Sequence, residues 1–396
     1  MTDAPADTRP DVVVLLQGGG AKGAYQVGVL QGLVDAGLTP DWILGISSGA
    51  LNGVAMAGNA PADRGAALDK LWSMLADPYD VTDAMGAALP PFFRQAMKTA
   101  TSMAALAGKA NFFEPALVPF LMKPDGAVGS DSFYSSKPLY ATIDAVADLE
   151  RVNAPGGVRL SVGASDVRRG VLRWFDSSRE PITADHVVAS GAMPPGAPGV
   201  RIDGEMYWEG GLVGCNPLDP VLAELLAGEL GSQGALVVVV DLWGQDGWLP
   251  RNLPFSLIRR DQIHFTGRVE AAMRDLRQRL TLAAVDADGG EWSGPGAMAG
   301  ARTSVLYVEN GRTGDLLWLD PVDFSRRAIR ERRDAGRRDM TAALEGADWR
   351  SETGPGGDVG RIHRFREGAL IDTSGPLVPE RLLARTGPLR LEKTAS

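Results

Sequence analysis

The apolar and polar positions of this chain fall into blocks that specify elements. Residues 12–16 (Val-Val-Val-Leu-Leu) form an unbroken apolar run, the mark of a strand buried on both faces. A glycine-rich stretch, residues 17–23, follows. Tyr25, Val29 and Leu33 then recur on one side of a helical pattern, with Val27, Leu30 and Val34 beside them and Gly37 placed to close the helix. Trp42, Ile43 and Leu44 start a second strand, and residues 50–57 a second helix. Strand, helix, strand, helix within sixty residues predicts an α/β fold built on a largely parallel sheet.

Residues 63–140 are less regular, helical in flavour and interrupted by Pro90, Pro91, Pro115, Pro119 and Pro124. Further strands are predicted over residues 158–164, 172–175, 236–240 and 303–308. A helix is predicted over 259–284, a glycine-rich loop over 289–300 and an arginine-rich helix over 323–344. No fixed repeat is present. Residues 1–10 are expected to be disordered.

Composition narrows the function. Of 396 residues, 44% are hydrophobic and 22% charged, which supports a sizeable core and excludes wholesale disorder. The 49 glycines have no three-residue period, so a collagen-like chain is excluded. Lys and Arg number 40 against 49 Asp and Glu, and a net charge of −9 argues against nucleic acid as a partner. The single cysteine, Cys215, excludes an intrachain disulfide and a cysteine-based zinc site. The first eleven residues carry Asp3, Asp7 and Asp11 against Arg9, unlike a secretory signal. Residues 42–62 are free of charge and long enough to cross a bilayer, but their glycines, serines and asparagines fit a buried strand and helix better.

Three constellations carry chemistry. Gly18-Gly19-Gly20-Ala21-Lys22-Gly23 matches G-x-G-x-x-G between a strand and a helix. It fits a dinucleotide fingerprint, an oxyanion hole made of closely spaced backbone amides, or a tight turn that needs glycine. A dinucleotide site wants an acid at the end of the next strand, and that strand ends in Gly-Ile-Ser instead. A phosphate-binding Walker loop is excluded because Ala24 and Tyr25 follow Gly23. Second, Gly45-Ile46-Ser47-Ser48-Gly49 sits between a strand and a helix, the setting of a nucleophile elbow. A serine nucleophile needs a base. His186, His264 and His363 are available, and His363 could fill the last place in the Ser, acid, His order of an α/β-hydrolase. Third, residues 203–217 read Asp-Gly-Glu-Met-Tyr-Trp-Glu-Gly-Gly-Leu-Val-Gly-Cys-Asn-Pro, an acid followed by a glycine pair and Asn-Pro.

In this order the three constellations, with Gly163-Ala164-Ser165-Asp166 and Ala189-Ser190-Gly191-Ala192-Met193-Pro194 between the second and third, resemble the patatin-like phospholipases over residues 11–245. That family comprises serine acyl hydrolases with a serine–carboxylate dyad and no catalytic histidine. The resemblance implies a three-layer α/β sandwich, Ser47 as nucleophile, and Gly18, Gly19 and Gly20 shaping the oxyanion hole. It assigns Gly23, Gly45, Gly49, Gly210, Gly211 and Asn216 to the motifs, with Asn216 bracing the acid turn. Lys22 matches the family's basic position in the glycine loop and is expected as a surface charge at the helix start. The acid departs from the family, which has Asp where this chain has Glu209. A carboxylate displaced by about one ångström can cost on the order of 10²-fold in rate. A catalytically weak or inactive lipid-binding or regulatory protein of this fold is therefore the alternative to a phospholipase or esterase. No cofactor or metal is implied. The expected partner is a lipid or other ester substrate.

Residues 85–123 are apolar and locally basic, +3 from four basic side chains and Glu114. They are read as a helical cap, with a lid or peripheral membrane contact as the other option. Residues 246–396 are expected to form a C-terminal extension, similar at residues 259–263 and 323–327 to one found on some bacterial patatin-like proteins. Its run of seven arginines and two acids over 326–338 is read as a solvated helix face. A cytoplasmic location is expected.

Overall fold

The computed structural model describes residues 9–77, 111–116, 130–214, 218–230, 234–244, 303–311, 321–353, 361–366 and 368–372, with scattered positions between them that include 109, 262–266 and 271–276. The opening apolar run becomes β1 (Asp11–Leu16), and the helical pattern becomes α1 (Ala24–Asp35). Gly37, at φ +75°, ends that helix. Its amide donates to Val34 O and that of Leu38 to Leu33 O, the paired bonds of a Schellman closure. The charge-free run folds into β2 (Trp42–Gly45) and α2 (Ser48–Ala57), both buried throughout. Next come α3 (Arg64–Leu75) and α4 (Lys137–Val146). The strands β3 (Arg159–Asp166) and β4 (Val171–Asp176) pair as a hairpin before α5 (Ala184–Ser190). A short hairpin, β5 (Val200–Ile202) and β6 (Glu205–Glu209), precedes α6 (Leu218–Ala227) and β7 (Ala235–Asp241). Further along come β8 (Thr303–Glu309), α7 (Arg326–Gly346), β9 (Arg361–Arg366) and β10 (Ala369–Asp372).

Ten of the described strands belong to one sheet, in the order β10-β9-β8-β7-β1-β2-β3-β6-β5, with β4 also paired to β3, while the two-residue strands Glu114–Pro115 and Tyr134–Ser135 pair separately. The six from β9 to β3 run parallel; β10, β4, β6 and β5 are antiparallel to their neighbours. Alternate side chains of β1 enter two separate apolar clusters. Val12, Val14 and Leu16 pack with α1, α2 and α7, whereas Val13 and Leu15 pack with α6, Met273 and Leu276. The molecule is thus the expected three-layer α/β sandwich.

The chain beyond residue 245 completes this sheet. β8 pairs with β7 over seven residues and carries β9 and β10 outward. The arginine-rich helix is not simply a solvated face. In α7, Ala335, Gly336, Met340, Ala343 and Leu344 are buried, and Arg332 is only 8% exposed. The helix lies so close to α1 that a Cβ on Gly28 would stand 1.9 Å from Arg333 O, and one on Gly336 2.1 Å from Tyr25 O. Two glycines that admit this approach tie the C-terminal part to the first helix. Its exposed arginines pair outward, Arg337 with Asp35 and Arg327 with Glu331. The cap expected over 85–123 lies outside the described residues apart from 109, 111–116 and 122, as does the glycine-rich loop of 289–300. Of the helix expected over 259–284, residues 262–266 and 271–276 are helical.

Candidate active site

Both loops that carry chemistry leave the C-terminal edge of the parallel strands. Two residues after β2, Ser47 takes φ 54° and ψ −120°, a conformation that costs a non-glycine residue energy unless its surroundings enforce it. Ile46 N donates to Leu16 O at 3.1 Å, Leu51 N to Ser47 O at 3.1 Å, and Ser47 N to Ser190 Oγ at 2.8 Å. The flanking glycines have no room for a side chain: a Cβ on Gly45 would stand 2.5 Å from Gly49 O, and one on Gly49 2.2 Å from Leu16 O. The half-buried Ser47 side chain stands at the N-terminus of α2, where the helix favours developing negative charge.

The sheet brings Glu209 to the same place. β3 pairs with β2 only as far as Val162, opposite Gly45, the last residue of β2. Beyond that point β6 takes the vacated edge, because β4 occupies the opposite one, and Glu209 pairs with Ala164. The strand bearing the acid therefore runs toward the end of the strand bearing the elbow and stops there. A Cβ built on Gly18 would stand 3.1 Å from Glu209 Oε1 and 3.2 Å from Ser47 Cβ, so glycine loop, serine and acid converge on one point.

Glu209 is 4% exposed. Burial pushes its carboxyl up to about 8, against the pull of the Gly211 and Leu212 amides that donate to it. Its Oε2 has no hydrogen-bond partner, and among the described residues no hydrogen bond joins Ser47 Oγ to the carboxyl. The backbone around the acid is pinned: Glu209 N donates to Ala192 O at 3.0 Å, and Ser165 Oγ donates to Glu209 O at 2.8 Å. Ser190, fully buried, accepts from Ser47 N and donates to Gly163 O at 2.6 Å. One segment, residues 190–192, thus holds both the elbow and the acid.

In the glycine loop, Gly19 is extended and Gly20 has φ +56°. Among the described residues no hydrogen bond uses the amide of either. Gly23 lies against Ser48, whose Cβ would be 2.7 Å from a Gly23 Cβ. Asn52 binds Gly23 O at 3.0 Å and Gln26 at 2.9 Å, and Gln26 binds Gln17 O at 2.7 Å, so a buried amide chain links loop and elbow. Gly210 packs on Gly163 O, and Gly211 follows in the same short turn. Lys22 corrects the expectation of a surface charge. It is 8% exposed, donates to Leu242 O at 3.3 Å and lies 4.6 Å from the Trp243 ring centre. Cys215 and Asn216 lie outside the described residues.

The other candidates stand elsewhere. Asp203 and Gly204, both at positive φ, make the two-residue turn of the β5–β6 hairpin. His363 on β9 bonds Glu352 at 2.8 Å, and β9 is four strands from β2, roughly 19 Å at about 4.8 Å per strand. His186 accepts from Thr183 N at 3.0 Å and stacks on Phe175. Exposed His264 packs edge-on against Phe265. Among the described residues no group of three or more His, Cys, Asp or Glu could hold a metal, and no helix is long and apolar enough to cross a membrane.

Ser190, a serine in a small-residue turn, carries no local signature of its role in the sequence. Trp243 and Arg332, which touch the glycine loop across 225 and 311 positions, left none.

The family model described as patatin-like phospholipase matches residues 14–222, more than half of the chain. A comparison with curated proteins finds no match. Among solved structures, VipD from Legionella pneumophila is 17% identical, with 83% of this chain and 67% of that one covered and a TM-score of 0.33. The type III effector ExoU is 16% identical, with 85% of this chain and 53% of that one covered and a TM-score of 0.31. A complex of SpcU with ExoU from Pseudomonas aeruginosa gives 16% identity, coverage of 87% and 72%, and a TM-score of 0.23.

Proposed function

The chain belongs to the patatin-like phospholipase family, and from that premise we propose that it is a serine-dependent lipid acyl hydrolase in which Ser47 is the nucleophile and Glu209 the base. The observation that carries this is the convergence of Gly18, Ser47 and Glu209 at the end of β2, with the acid delivered there by a strand that continues the β2 edge. Ser47 Oγ attacks the ester carbonyl while Glu209 takes its proton. The Gly19 and Gly20 amides receive the oxyanion. The carbonyl re-forms, the alcohol leaves with the proton from Glu209, and water releases the acid by the same steps in reverse order. The buried, unpartnered Glu209 Oε2 supports this role, since it has an acceptor position to offer the serine hydroxyl.

The purified chain, assayed against phospholipid micelles and a short-chain ester, should release fatty acid, and Ser47→Ala should release none. Unchanged release by Ser47→Ala would overturn the proposal. A second reading, weak hydrolysis near neutral pH by a lipid-binding protein of this fold, is favoured by the burial of Glu209. Burial that raises its carboxyl to about 8 leaves only a minor ionised fraction at pH 7 to accept a proton.

A further inference from the structure

We infer that the glycine loop is completed from outside the family-matched segment, with Trp243 and Arg332 acting as positioning residues for its backbone. The inference rests on the proposed role of the loop amides and extends it to residues beyond position 222.

Each residue from Gly18 to Ala21 is met by one of two later segments. Trp243 Nε1 donates to Gly18 O at 2.9 Å. Leu242 Cδ1 would stand 2.7 Å from a Cβ on Gly19, and Pro321 O 2.3 Å from one on Gly20. Arg332 Nη1 donates to Ala21 O at 3.2 Å and to Asp323 O at 2.7 Å. The braces are themselves held. Trp243 is 6% exposed, its amide donates to Asp241 Oδ1 at 2.8 Å, and its carbonyl accepts from Gln262 at 2.6 Å. Tyr307 hydrogen-bonds the other oxygen of Asp241. Arg332 sits on α7, packed against α1.

The geometry matters because a peptide unit is planar and trans, so a C=O and the following N–H point in opposite directions. Trp243 fixes the Gly18 carbonyl and thereby turns the Gly19 amide away from the indole. Arg332 fixes the Ala21 carbonyl on the far side of Gly20, so the peptide units of both unpaired amides are clamped between two anchors. Oxyanion donors act through preorganisation. An anchor lost therefore weakens the transition state more than it weakens substrate binding.

The test is steady-state kinetics on a soluble ester, with active sites counted by fluorophosphonate titration. Trp243→Phe keeps the ring and removes the donor. It should lower kcat by about ten- to a hundredfold, the scale of an ångström of misplacement, with KM nearly unchanged and one titratable serine per chain. The affinity of an alkyl boronic acid, which forms a tetrahedral serine adduct, should fall by the same factor. Arg332→Met should behave alike and Arg332→Lys, which keeps a donor, should recover most of the loss. The inference is overturned if Trp243→Phe and Arg332→Met both keep kcat within twofold of the parent chain. It is also overturned if their loss is matched by fewer titratable sites or shared by Arg332→Lys. An inactive, unlabelled parent chain would overturn the function itself, whereas an active parent with unaffected variants removes only the braces.

Discussion

At the scale of the residue, the defining feature is a glutamate where the family has aspartate. Glu209→Gln keeps the shape but cannot accept a proton, so hydrolysis should fall by at least two orders of magnitude. Glu209→Asp withdraws the carboxylate by about one methylene from a turn pinned at Ala192 and Ser165, and ten- to a hundredfold impairment is expected on the scale of about one ångström. As the proposed base, Glu209 would act only when ionised, so hydrolysis should rise about tenfold per pH unit up to the Glu209 value of about 8 and then level. Stability should move the other way. A carboxyl raised in the folded state stabilises it fully below its ordinary range, and the effect is lost as pH rises through about 8. Melting curves should therefore show Glu209→Gln more stable than the parent at pH 9, with the gap closing as the pH falls below about 4. At about 1.4 kcal/mol per unit, a rise from 4.5 to about 8 sets an upper bound of roughly 4–5 kcal/mol. Ser47 and Glu209 stood out as candidates in the sequence because short motifs enclose them, and the fold brings the two side chains to the same place. The burial of Lys22 was not, since it depends on Leu242 and Trp243, which no local pattern connects to residue 22.

At the scale of the element, the elbow and the α1–α7 contact were legible to different degrees. Strand, glycine turn, helix is a local pattern, and Gly45 and Gly49 mark it in the sequence. The path of β6 along the edge left by β2 is a matter of register between strands more than forty positions apart, and periodicity carries no such information. Arginine-rich stretches usually read as solvated, and in the buried stripe of α7 the small residues Ala335, Gly336 and Ala343 stand between Met340 and Leu344 and leave little apolar signal. The same smallness makes the contact testable. Gly336→Ala places a methyl 2.1 Å from Tyr25 O, and overpacking of this kind costs about 1–3 kcal/mol. A drop of several degrees in Tm is expected, whereas Arg337→Ala, which removes only an exposed ion pair with Asp35, should shift Tm by less than about 2 °C.

At the scale of the whole molecule, the family-matched segment ends at residue 222, but the sheet does not. β7 lies between β1 and β8, and Val305, Leu306, Tyr307 and Val308 are buried against it and the flanking helices. A chain ended after residue 245 would keep β7 but leave its far edge unpaired and uncover the α1 face that α7 occupies. Such a chain should be insoluble or bind a hydrophobic dye strongly, and a soluble, cooperatively melting product would contradict the single-sheet account. The strand at 303–308 was readable as a strand, but its membership in the first sheet was not, because long-range pairing follows from topology and not from composition.

The account stands most directly on which serine is activated. Intact-mass analysis of the parent chain after exposure to a fluorophosphonate at pH 8.5 should find one adduct, mapped to Ser47. Ser47→Ala should carry none, and Glu209→Gln should be modified at least a hundredfold more slowly. An adduct that persists in Ser47→Ala, or a parent chain that stays unmodified, would contradict it.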